Sequence, residues 1–171
     1  MIKEAKDVLQ NVVEAKAPEA HIARSGAEES RLIMARQYPI VSLITNPGRF
    51  DETEARLYRY FNNESGMWQQ RYARGARSVP VLLRVWAEGE DAADALFSRI
   101  IPAIPRRWVC DDFRGYVSVK SEEHSDFVDN VSKLYLSVAE IVFSVPVAGD
   151  VEPVPTFDKI ETEQPEIEPL A

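Results

Sequence analysis

The sequence predicts an α+β fold: a largely antiparallel or mixed sheet with helices packed on one face, followed by a disordered or extended acidic tail. Three observations predict it. Short β-branched stretches arrive in adjacent pairs, and segments of helical period stand between the pairs. After Val147 the chain turns to proline and acid, with few apolar residues to bury. We therefore read residues 1–147 as one domain and residues 148–171 as an acidic, proline-rich tail.

The first element is a helix. Ile2, Ala5, Leu9, Val12 and Val13 recur on one side of a helical wheel, with Lys3, Glu4, Lys6 and Asp7 on the other. The pattern runs from Ile2 to Ala17 and is closed by Pro18. From Glu19 to Gln37 it weakens, with a short helix expected around Glu28 to Met34. "YPIVSLIT" (Tyr38 to Thr45) is short and β-branched and is stopped by "NPG", which predicts a strand and a turn.

Residues 46–66 are polar and aromatic without a sustained period, and read as a loop or insertion. "MWQQRYARGARSVPVLLRVWAE" reads as two strands joined near Gly75. Val79, Val81, Leu83 and Val85 alternate onto one face. Leu82 and Trp86 on the other face predict a strand covered on both sides. A helix follows, with Ala93, Leu96, Phe97, Ile100, Ile101 and Ile104 on its buried side and Pro102 and Pro105 at its end. Glu90, Asp91 and Asp94 in its first turns suit the positive end of the helix dipole.

"RWVCDDFRGYVSVK" predicts one strand, bent near Gly115. "EEHSDFVDN" reads as a loop. "SKLYLSVAEIVFSVPV" predicts a long strand with Tyr135, Ala139, Ile141, Phe143, Val145 and Val147 on one face.

Composition narrows the function classes. A chain of 171 residues, 45% of them hydrophobic, suffices for one domain with a real core. The net charge of −8 is concentrated in the tail, so the body carries no basic footprint of the kind that binds nucleic acid non-specifically. Cys110 is the single cysteine, which excludes an intrachain disulfide and fits a reducing compartment. No apolar run is long enough to span a bilayer, and the N-terminus has no signal-peptide texture; a soluble, intracellular protein with no membrane partner is expected.

Candidate chemistry is sparse. There is neither a phosphate-binding loop nor a dinucleotide fingerprint among the seven glycines. His21 and His124 both fall in expected loops. His124 stands among Glu122, Glu123 and Asp126, but the spacing matches no metal motif, and a solvated acidic loop is the simpler reading. Asp111 and Asp112 beside Cys110 would raise its thiol pKa, the wrong direction for a nucleophile, so a semi-buried structural cysteine is expected. No catalytic residue, cofactor or metal is assigned.

The one positive series is Arg71, Arg74 and Arg77, close to Trp68 and Tyr72. Arg and aromatic side chains are the types enriched at protein interfaces. Solvated hairpin arginines are the plain alternative, and phosphate contact with DNA the third. For an interface, acidic partners are available in the turn at Glu88, Glu90 and Asp91 and in the segment at Glu122 and Glu123.

Together, the N-terminal helix, "VPVLLRVWAEGEDAADALFSRI", the following "IPRRW" and the final "LYLSVAEIVFSVPV" resemble the tail-terminator, or tail-completion, proteins of long-tailed bacteriophages. The resemblance covers roughly Ile2 to Val147 and rests on order and texture. It implies a structural virion protein, not an enzyme. Such a protein would form a homohexameric ring, cap the tail tube, end its polymerisation and offer a surface for joining the head. Its implied partners are other copies of itself, the tube and sheath proteins and a connector or neck protein, with DNA passing through the lumen without sequence-specific binding. Its implied place is the head-proximal end of the virion tail, reached from the host cytoplasm during assembly. The alternatives are another head–tail connector, such as a neck or stopper protein, and a protein-binding α+β module unrelated to phage.

Overall fold

A computed structural model describes residues 1–110, 113–129 and 132–153 of the chain. Its elements are α1 (Ile2–Lys16), β1 (His21–Ala23), α2 (Gly26–Met34), β2 (Ile40–Thr45), β3 (Arg49–Asn62), β4 (Met67–Glu88), α3 (Glu90–Ile100), β5 (Arg107–Cys110), β6 (Phe113–Asp129) and β7 (Ser132–Pro153). A 3-10 turn at Ile101–Ala103 follows α3. The strands form one sheet in the order β1-β2-β4-β7-β6-β5, with β3 also paired to β4. Among the described residues, β1 and β2 run parallel and the other pairings are antiparallel. The fold is α+β.

The core lies where the alternation placed it. Val79, Val81, Leu83 and Val85 of β4 are buried beside Ala139, Ile141 and Phe143 of β7. Val81 is opposite Ile141 and Val79 is opposite Phe143. Ala5, Leu9 and Val13 of α1 and Ala93, Leu96, Phe97 and Ile100 of α3 close over this face in the same cluster. At its far edge the Trp108 ring meets Phe143 edge-on, centroids 5.0 Å apart. The Trp108 indole N–H donates to the Ser144 carbonyl at 3.3 Å.

The second helix departs from the expectation of helices on one face. Ile40 pairs with Trp86, one residue out of phase with the Val41–Val85 pair of the main core. Leu32 of α2 packs with Ile40 and Trp86 on that opposite face. A buried carboxylate ties it down: Glu29 accepts from the Trp86 indole at 2.8 Å and from Arg84 at 3.2 Å. Ser25 starts the helix, its Oγ accepting from the Glu28 amide at 3.2 Å.

Further expectations are corrected. Residues 46–66 are not a loop: β3 occupies Arg49–Asn62 and pairs along β4. Gly75 is not a turn. It lies inside the 22-residue β4, between register shifts at positions 71–75. A Cβ there would meet the Phe50 ring at 2.8 Å, so the missing side chain makes room for a ring. The true hairpin turn is at 63–66, where Asn62 Oδ1 accepts from the Glu64 amide at 2.9 Å and Gly66 takes a φ of 65°.

The expected single strand through "RWVCDDFRGYVSVK" is two antiparallel strands, β5 and β6. Asp111 and Asp112 between them lie outside the described residues. The expected loop at 122–130 is, from Glu122 to Asp129, the second half of β6, paired with β7; Asn130 lies outside the described residues. His21 and His124 are accordingly in strands β1 and β6. Finally, β7 does not stop at Val147 but runs to Pro153, alongside β4 as far as Gln69. The rest of the expected tail, 154–171, lies outside the described residues.

Segments β3 and 122–129 share a cause for being misread. β3 mixes charged and aromatic residues and 122–129 is mostly polar, so no sustained apolar alternation marks either. They are recruited by backbone pairing to a neighbouring strand that does carry the alternation.

Candidate assembly surface

The longest strands outrun the core. β4 begins at Met67, but its first residue in the main core is Val79. Twelve residues of strand at about 3.3 Å each extend roughly 40 Å beyond the helix-covered region. β3 lies on one side of this stretch and the last third of β7 on the other, giving a three-stranded arm. Apart from Gly75, no residue of β4 from Met67 to Ser78 whose exposure is described is buried. Among the described residues, the outer edge of β3 and the outer edge of β7 beyond Val145 carry no further strand.

This arm carries the arginine and aromatic residues singled out in the sequence. Trp68, Arg71, Tyr72, Arg74 and Arg77 all lie on its central strand, rather than flanking a turn. Trp68 is 48% exposed, and Met67 beside it and Phe50 on β3 are exposed as well. Arg74 and Arg77 are exposed; the side chains of Arg71 and Tyr72 lie outside the described set. Between Met67 and Ser78 the strand holds three arginines and no acid.

The acidic residues are at the other end of that same strand. Glu88 is its last residue, and Glu90 and Asp91 open α3; all three are exposed. Gly89 between them has a φ of 104°, which lets the chain turn directly from strand to helix. Arg77 and Glu88 are eleven residues apart along extended chain, about 36 Å. One chain therefore cannot bring its two charged ends together.

Glu122 and Glu123, expected in a loop, are instead in β6 opposite Ala139 and Val138. They sit two strands over from β4 and several residues short of its acidic end. Their side chains lie outside the described set.

Cys110 is a buried thiol, 5% exposed. Among the described residues, no three His, Cys, Asp or Glu side chains are grouped to hold a metal ion. No helix among them is long and apolar enough to cross a membrane. A cavity of about 670 Å³ opens on the sheet face away from α1 and α3, where Arg49, Asp51, Lys120 and Glu140 meet three serines. These residues come from four separate strands, so no sequence spacing announces them. Opposite charges in equal number leave the cavity without a preferred ligand charge.

No family model matches the chain, and no curated protein is significantly similar to it in sequence.

Proposed function

We propose that this chain is a structural protein that assembles head to tail into a closed ring, and that the ring caps the tail tube of a long-tailed bacteriophage. The observation that carries the assembly is the arm. Among the described residues it is a three-stranded ribbon with no further strand on either edge and no helix over it. Left alone, it holds Trp68, Met67 and Phe50 exposed to water. Such edges pair with another chain unless something covers them.

The charge layout gives each subunit two unlike ends, as a head-to-tail ring requires. The arginines at one end of β4 and the acids at its other end are two different surfaces on one subunit. A contact between unlike surfaces is heterologous, and it closes into a ring when the rotation permits. In this reading Arg74 and Arg77 of one copy meet Glu88, Glu90 and Asp91 of the next. Trp68 supplies the apolar anchor of the contact.

The placement on a phage tail rests on the resemblance in element order and texture. A six-membered ring would end tube polymerisation and present its other face to a connector or neck protein. DNA would pass through the lumen without sequence readout. The protein would act by shape and contact rather than by catalysis.

A charge swap tests the interface. The Arg74→Glu/Arg77→Glu variant should fold, fail to join the ring and leave tails overlong. Adding Glu90→Arg and Asp91→Arg to the same chain should restore normal length, because both sides of every contact are then reversed together. Overlong tails from the four-fold variant, at unchanged folding, would remove these residues from the contact.

A further inference from the structure

We propose that the groove beside the free edge of β6 receives the far end of this chain's own acidic segment, residues 165–171. The inference stands independently of the ring.

β5 covers β6 only as far as Tyr116. From Val117 onward, the side of β6 away from β7 carries no strand among the described residues. A cavity of about 460 Å³ runs along that edge, lined by Ile101, Pro102, Pro105, Tyr116 and Val119, with Arg106 at its rim. Tyr116 is 65% exposed and Val119 39%. The Val117 amide donates to the Arg106 carbonyl at 3.0 Å, and beyond it the trough flanks a stretch of β6 with no strand beside it among the described residues, the setting in which an extended peptide adds to a sheet.

The surroundings are cationic. Arg107 is opposite Tyr116 in the ladder, and Arg114 is opposite Val109, itself 66% exposed. Arg106, Arg107, Arg114 and Lys120 are all exposed. Even with Asp111 and Asp112 counted, this corner is net positive. The trough calls for an extended segment that alternates apolar and acidic residues. Residues 166–170 read Glu-Ile-Glu-Pro-Leu, and 154–171 hold five acids against one lysine.

Reach decides which part of the segment fits. β7 ends at Pro153, opposite Gln69 on the arm, whereas the groove is level with Ser144 to Ile141. The gap is nine to twelve residues of strand, roughly 30–40 Å. Phe157 and Ile160 lie four and seven residues past Pro153 and span at most about 14 and 25 Å. Within one chain they fall short. Ile167 and Leu170, fourteen and seventeen residues on, reach about 50 and 60 Å at full extension. Docked there, the segment would cover a bare sheet edge.

Disulfide trapping in the full chain tests this. With Cys110→Ala, the pair Val119→Cys and Leu170→Cys should form a bond within one chain under mild oxidation at low protein concentration. The pair Val119→Cys and Phe157→Cys should not. Reversing Arg106, Arg107 and Arg114 to Glu should reduce trapping at least several-fold. If that variant does not fold, raising salt from about 0.05 to about 0.5 M should weaken trapping in the unreversed chain, because exposed charge contacts are screened. Absence of the in-chain bond overturns the proposal. So do bonds formed only between two chains, which would assign the groove to a second copy. Binding of a short DNA duplex through these arginines, with Leu170→Cys left untrapped, would assign the corner to nucleic acid instead.

Discussion

The carboxylate of Glu29 accepts a hydrogen bond from the indole of Trp86 at 2.8 Å, joining α2 to the strand that also carries the main core on its other face. Glu29 is 6% exposed and Arg84 shares its second oxygen. Glu29→Ala should cost about 1–3 kcal/mol in urea unfolding, because it leaves the Trp86 donor without its acceptor in a buried setting. Glu29→Gln keeps an acceptor for Trp86 and should cost less. Equal losses from the two variants would mean that the charge contact to Arg84 dominates.

Phe143 is fully buried and Phe97 nearly so, from β7 and α3 respectively. Phe143→Ala and Phe97→Ala should each cost about 3–5 kcal/mol, a large share of the stability of an ordinary domain. Calorimetry of the two variants checks this; a melting temperature unchanged in both would misplace the core.

These two phenylalanines were legible in the sequence because burial leaves a period. Val79 to Val85 alternates, and Leu96 to Ile100 steps by three and four. Glu29 was not legible. An acid on a weakly patterned helix reads as a solvated one, and its partners Arg84 and Trp86 are more than fifty residues away. The arm was hidden for a related reason. β3 and the start of β4 are held by backbone pairing, which any side chain permits, so the central strand of a ribbon looked like a loop and a turn. Arg74 and Arg77 stand out in the sequence by type, but their separation from Glu88 depends on β4 being unbroken at Gly75.

Gly115 of β6 leaves no room for a side chain. A Cβ there would collide with the Ser144 carbonyl and with the Trp108 indole nitrogen that donates to it. Gly115→Ala should displace Trp108 from Phe143, lower the melting temperature and shift tryptophan fluorescence to the red as the indole is exposed. Unaltered fluorescence would mean that β5 moves away as a unit and keeps Trp108 packed.

Ending the chain at different points should separate folding from assembly. Among the described residues, 148–153 pair with the arm half of β4 and with no other strand. A chain stopped after Val147 should keep the melting temperature within a few degrees yet lose ring assembly, because the arm is stripped of one strand. A chain stopped after Pro153 should retain both. Loss of the fold after Val147 would place the arm inside the cooperative unit.

The most direct test of the ring-cap account is an electron cryo-microscopy map of the virion that contains this chain. The account predicts six copies in a ring at the upper end of the tail tube, each arm laid against the acidic end of the next subunit's β4. A map with the chain elsewhere in the particle, or with its arm free of any neighbouring copy, would contradict it.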